Sequence, residues 1–159
     1  MRLQHIFILL FLSTILFACD TKPDTKKYEI SLIPKPQQIK LHDGSFEFIK
    51  NNSYYIHPDF QLAGDFIKIF LENGSNFELK ELPDNQATIR ITKQDSLAPD
   101  AYVLRIDHEG ILIESKDSAG AFYGVQTLRQ LLPAAFEIPN GYKESTVALP
   151  LLSIYDAPK

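Results

Sequence analysis

Between residues 101 and 132 the chain changes its hydrophobic period, and that change constrains the fold more than any other feature. Tyr102, Leu104 and Ile106 fall on alternate positions, the spacing of a strand with one buried face. Asp107-His108-Glu109-Gly110 turns the chain, and Ile111 and Ile113 alternate on the return. Beyond Asp117 the apolar residues Ala121, Val125, Leu128 and Leu132 recur three and four apart, with Phe122 beside them, as on one face of a helix. Ser115, Asp117 and Ser118 offer side-chain caps for its start, and Pro133 ends it. A hairpin that feeds an amphipathic helix buries both apolar faces by laying the helix on the sheet.

The upstream half follows the same logic. Ile39, Leu41, Phe46 and Phe48 flank Asp43-Gly44, a favoured two-residue turn, and predict a hairpin. Residues 54–56 suggest a short strand, broken by His57-Pro58. Asp59 is placed as an N-cap, and Ala63, Phe66, Ile67, Phe70 and Leu71 form one helical stripe that Asn73-Gly74 stops. Residues 77–79 and 87–92 read as strands, 93–99 and 134–142 as loops, and 147–155 as extended again. The expected class is α+β, a mainly antiparallel sheet with two helices packed on one face. Gly120 and Gly124 each cost a helix about 1 kcal/mol relative to Ala, which close approach of the helix to its sheet or to a neighbouring domain explains. Tyr123 is expected as a core aromatic with a satisfied hydroxyl.

The two ends suggest processing and continuation. Residues 6–18 carry no charge and follow a short segment with Arg2, but they fall short of the ~20 residues that span a bilayer core. They fit a signal peptide over residues 1–18. The only cysteine, Cys19, follows in the frame Leu16-Phe17-Ala18-Cys19, which resembles a bacterial lipobox, and it is the expected lipidation site. Residues 20–27 are polar, charged and Pro-containing, as a lipidated tether (19–27) would be. This places the chain in the cell envelope, held to a membrane and either periplasmic or surface-exposed. At the other end, residues 149–159 read as a connection to a further domain, leaving 28–148 as the folded unit.

The chemistry-bearing residues are sparse. The net charge of −4 and scattered basic residues exclude a nucleic-acid face. His42, His57 and His108 stand alone beside turns or a proline, without metal-ligand spacing. No serine lies in a nucleophile elbow and no Gly-rich loop follows a strand as a phosphate cradle. Asp107, Glu109, Glu114 and Asp117 read as turn and cap carboxylates. Asn51-Asn52-Ser53 and Asn73-Gly74-Ser75 match a glycosylation pattern that a bacterial leader makes irrelevant. The residues therefore suggest no catalytic, substrate-binding or metal site and no cofactor.

Three segments carry a resemblance. These are Ile30-Ser31-Leu32-Ile33-Pro34-Lys35-Pro36-Gln37 with the following Gly44-Ser45-Phe46, the pair of segments around Ala101-Tyr102-Val103-Leu104-Arg105-Ile106 and Ile111-Leu112-Ile113, and the run from Asp117 to Leu132. In order and spacing they resemble the small non-catalytic domain that precedes the barrel of family 20 β-N-acetylhexosaminidases. Such enzymes remove terminal β-linked N-acetylhexosamine from glycans by substrate-assisted hydrolysis. The resemblance implies an Asp-Glu dipeptide in the barrel, and this chain contains none; it also has no Trp. The family's sugar-binding Arg would lie just beyond Lys159. No catalytic residue can be assigned to this chain, which is expected to be inactive alone and to have the catalytic barrel of the same polypeptide as its partner. That barrel is expected on the side of the sheet that the helices leave uncovered. Two other readings fit the residues: a free-standing lipoprotein binding module, and the N-terminal domain of another exo-glycosidase.

Overall fold

The structure is a computed structural model that describes residues 29–157, so Cys19, the apolar leader and the tether lie outside the described residues. Seven strands form one sheet: β1 (Gln38–Ile49), β2 (Asn51–Ile56), β3 (Glu78–Glu81), β4 (Ile89–Lys93), β5 (Tyr102–Asp107), β6 (Gly110–Ser115) and β7 (Thr146–Asp156). The helices are α1 (Gln61–Gly74), between β2 and β3, and α2 (Ser118–Leu131), between β6 and β7. The spatial order is β1-β7-β5-β6-β4-β2-β3. The class is α+β, as the periodicities predict, and antiparallel ladders join β1, β7, β5 and β6. The other half, β6-β4-β2-β3, is parallel. Local hairpin signals do not announce this, because those pairings join strands distant in sequence.

Both helices lie against one face of the sheet. Ile67 and Leu71 of α1, and Val125 and Leu128 of α2, share a core with Ile89, Ile91, Leu104, Ile113 and Leu152, each 3% exposed or less. Gly64, Gly120 and Gly124 mark close approaches of the helices to the sheet. A Cβ at Gly64 would sit 2.1 Å from the Ile56 side chain, and one at Gly124 would sit 2.7 Å from Ile113 Cγ2. Of the two explanations for the helical glycines, contact with the sheet is the one realised.

Three local expectations need correction. Residues 39–48 do not turn back at Asp43-Gly44; β1 runs straight along β7, with its register shifted between Leu41 and Ser45. The inward positions pass from Ile39 to Phe46 and Phe48, from odd to even. β7 changes with β1, from Leu152 and Ile154 to Leu149 and Val147, so both strands switch faces across the irregularity, a pattern that in sequence looks like a hairpin turn. Facing the end of the irregularity is Pro150, which has no N–H to give to a ladder. Second, Asp59 is not the N-cap of α1. It lies in a 3-10 turn (Pro58–Phe60), and Phe60 occupies the cap position. The His57 ring caps that turn, its Nδ1 accepting from the Asp59 N–H at 3.2 Å, and the Asp59 carboxylate is drawn to Lys93 Nζ at 2.7 Å. Third, residues 149–156 are no outgoing connection. They belong to β7, between β1 and β5, with Leu149, Leu152 and Ile154 at 1% exposure or less. An apolar run with both edges paired is a central strand, so the folded unit extends past the expected boundary at 148.

Asp117 caps α2 as expected. Its Oδ1 accepts from the Gly120 N–H at 3.0 Å and its Oδ2 from the Asp100 N–H at 2.9 Å. These N–H donors hold its carboxyl below the usual carboxylate range. Asp117→Ala should therefore cost about 0.5–2 kcal/mol. Because the folded-state pKa is depressed, the charge contributes fully above the unfolded value of ~3.9 and is lost as pH falls through the lower folded value. The stability gap between wild type and Asp117→Asn, followed by thermal unfolding, should narrow below about pH 4. A gap that is constant with pH would show that the charge adds nothing to the cap.

Candidate docking face

Most of the polar residues singled out in the sequence serve local structure. His42 Nε2 lies 3.4 Å from Ser153 Oγ, His57 caps the 3-10 turn, and His108 is exposed in the β5–β6 turn. Asp107 Oδ1 accepts from the Glu109 and Gly110 N–H groups at 2.8 and 3.2 Å, holding that turn. Glu114 pairs with Arg105 at 3.4 Å. Asn52 is buried and donates to the Ile49 carbonyl; Ser53 Oγ accepts from the Thr88 N–H at 3.0 Å. Ser75 is also buried, donating to the Leu71 carbonyl at 2.7 Å and accepting from the Phe77 N–H at 3.0 Å. Among the described residues no three His, Cys, Asp or Glu side chains are grouped as metal ligands would be. Cys19 lies outside the described residues.

The notable surface is instead the outer side of the helix layer. Leu62 and Ile69 of α1 are 71% and 55% exposed, and Tyr123 of α2 is 43% exposed. Tyr123 is thus not the core aromatic expected: Gly124 and Gly120 take the sheet-facing positions, and the residue between turns outward. Between these residues runs a line of rings. Phe122 meets Phe66 edge-on at 5.5 Å, Phe66 stacks on Phe70 at 6.3 Å, and Phe70 lies 6.3 Å from Phe136. The Arg129 guanidinium lies 5.9 Å from the Phe66 centroid and 5.3 Å from that of Phe70. Glu137 grips it in a two-pronged pair, at 2.8 Å to Nε and 2.5 Å to Nη2. That hydrogen bonding lowers the Glu137 carboxyl below its ordinary range and raises Arg129 further.

The open face of the sheet differs. Arg90, Thr92, Arg105, Glu114 and Ser153 lie there among Tyr55, Val103, Leu112 and Tyr155, with Arg105 and Glu114 paired. Leu62, Ile69 and Tyr123 are nonetheless the exposed large apolar side chains of the helices, so the helix side is the stronger candidate for a contact surface than the open sheet face that the sequence suggested. The signal was present in the sequence. Leu62 and Ile69, seven residues apart, lie off the stripe that begins at Ala63 and widen the apolar arc of α1 beyond what one buried face needs. A monomer exposes single apolar residues freely, but a contiguous apolar strip marks a contact surface.

Comparison with known proteins agrees with this architecture. The family model described as glycosyl hydrolase family 20, domain 2, matches residues 29–157. A beta-hexosaminidase of Porphyromonas gingivalis is 35% identical over 117 residues, 70% of this chain and 15% of that protein. A beta-hexosaminidase of Vibrio vulnificus is 27% identical over 114 residues, 69% of this chain and 12% of that protein. The chain thus spans a small fraction of the curated relatives it matches. Among solved structures, the GH20 exo-β-N-acetylglucosaminidase of Vibrio harveyi in complex with N-acetylglucosamine superposes with a TM-score of 0.67 at 27% identity, over 87% of this chain and 21% of that one. The GH20 β-N-acetylhexosaminidase of Streptomyces coelicolor superposes with a TM-score of 0.69 at 25% identity, over 78% and 26% of the two chains.

Proposed function

Because this chain belongs to glycosyl hydrolase family 20 through its domain 2, we propose that it is the supporting domain of a longer β-N-acetylhexosaminidase. The hydrolysis of terminal β-linked N-acetylhexosamine is carried out in a companion catalytic barrel. The observation that carries this reading is the family match across residues 29–157, the whole described chain, set against curated relatives of which the chain covers 15% or less.

In this reading the domain contributes surface rather than reacting groups. The sheet and the inner sides of both helices form a self-sufficient core, and the outer helix side presents Leu62, Ile69, Tyr123 and the exposed parts of the Phe66 and Phe70 rings. Covering that strip stabilises the assembly by roughly 25 cal/mol for each Å² of apolar area removed from water. It also holds the barrel rigidly against a preformed plate. The test is activity of the polypeptide read from the native locus through the frame that follows codon 159, set against the 159-residue chain alone.

The same proposal places the enzyme at a membrane through a lipid on Cys19, supported by the uncharged run 6–18 that ends at the lipobox-like Leu16-Phe17-Ala18-Cys19. One acyl chain alone binds a bilayer marginally, whereas several chains on one cysteine anchor stably. Wild type should sediment with membranes, and Cys19→Ser should shift the bulk of the protein out of that fraction or leave it unprocessed. If both partition alike, with the same apparent mass, the anchor assignment fails.

A further inference from the structure

We propose that the groove between the last turns of α1 and the 3-10 turn Ala134–Glu137 is the anchor point of the docking face, receiving one bulky apolar side chain from the companion domain. This rests on the supporting-domain reading above. The groove has a volume of about 290 Å³ and is walled by Phe66, Ile69, Phe70, Phe136 and Pro139. That is at or below the low end of the ~300–1,000 Å³ typical of small-molecule sites. Its base is tight: a Cβ at Gly74 would sit 2.3 Å from the Phe136 carbonyl oxygen, so the 3-10 turn packs directly on the end of the helix.

The polar groups at the rim argue against a sugar or another polar ligand. Glu137 is committed to Arg129 through both carboxylate oxygens. The Asn73 carbonyl accepts from the Asn140 N–H at 2.7 Å, and the Gly74 carbonyl accepts from the Tyr142 N–H at 3.0 Å. The exposed Asn73 amide is the one lining side chain with hydrogen-bonding groups to offer, and otherwise the groove presents rings and an exposed Ile69. The walls are also held in place, since Arg129 is pinned above Phe66 and Phe70 and Phe136 stacks on Tyr142 at 4.5 Å. A preformed apolar pocket within a larger contact face is where binding energy concentrates. The companion domain is the occupant because the groove continues the strip formed by Leu62, Phe66 and Ile69. The relatives in which this domain occurs carry most of their length outside it.

The experiment uses the native-locus polypeptide with Ile69→Asp in the groove, Leu62→Asp at the other end of the same face, and Glu47→Lys on exposed β1 as a control. Each is read by the rate at which limited protease separates the two domains and by thermal unfolding. The same changes in the 159-residue chain report on folding alone, and all three positions are exposed there. Ile69→Asp should speed separation at least tenfold, Leu62→Asp less, and Glu47→Lys not at all, while the 159-residue variants melt like their parent. If Leu62→Asp loosens the domains and Ile69→Asp does not, the anchor falls and the docking face stands. If neither has an effect, or the native product ends at residue 159, both fall.

Discussion

Gly124→Leu should lower the stability of the domain by about 1–3 kcal/mol, the usual cost of forcing methylenes into a filled core. For a chain of this size that is a loss of about 2–12 °C in melting temperature. The cause lies in the contact between α2 and the sheet. A Cβ at position 124 would already sit 2.7 Å from Ile113 Cγ2 and 3.3 Å from Tyr102 Cδ2, before any longer side chain is added. Neither neighbour can easily retreat. Ile113 is fully buried in β6, and Tyr102, 2% exposed, has its hydroxyl held by Thr127 Oγ1 at 2.6 Å. Tyr123→Leu, one position away on the outward side, is the matched control and should change stability little. Thermal unfolding of the two variants decides the matter. An unchanged melting temperature for Gly124→Leu would mean that α2 stands off the sheet.

That glycine shows how much of the fold could be read in advance. The period change at residues 101–132 placed β5, β6 and α2 correctly because turn, cap and stripe agree: Asp107 holds the turn, Asp117 caps the helix, and Val125 and Leu128 face inward. Where several local signals coincide, tertiary packing has nothing to override. The misread places are those where a distant partner decides. β1 appears to be a hairpin until β7, about a hundred residues away, offers both halves one continuous edge. β7 appears to be a departing tail until β1 and β5 pair on its two sides. The docking face was missed for a related reason. One buried stripe accounts for a helix on a sheet, and although Leu62 and Ile69 lie off that stripe in the sequence, nothing there says whether a second strip is buried or left open; the folded chain shows it exposed.

The 159-residue chain, freed of host hexosaminidase, should hydrolyse an aryl N-acetyl-β-glucosaminide no faster than buffer does. If the supporting-domain proposal holds, the polypeptide read through the frame after codon 159 should do so at least a millionfold faster, the low end of enzymatic rate enhancement. The chemistry needs two neighbouring carboxyl groups in opposite states. One is kept protonated to donate to the leaving oxygen, and the other is ionised to orient the substrate's amide. A general acid at neutral pH needs a raised pKa, from burial or a like-charged neighbour. Here the displaced carboxyl groups go the other way. Asp59 is held low by Lys93, Asp117 by the N–H groups of Gly120 and Asp100, and Glu137 by Arg129. Each is therefore an acceptor at neutral pH, unable to supply the proton. The sequence also has no adjacent Asp-Glu pair to divide the roles. The assay is release of the aryl alcohol across pH 4–8. Turnover by the 159-residue chain that survives removal of contaminating enzyme would overturn its supporting role. A downstream frame that encodes no glycosidase would overturn the companion barrel and leave a free-standing module as the better account of the same fold.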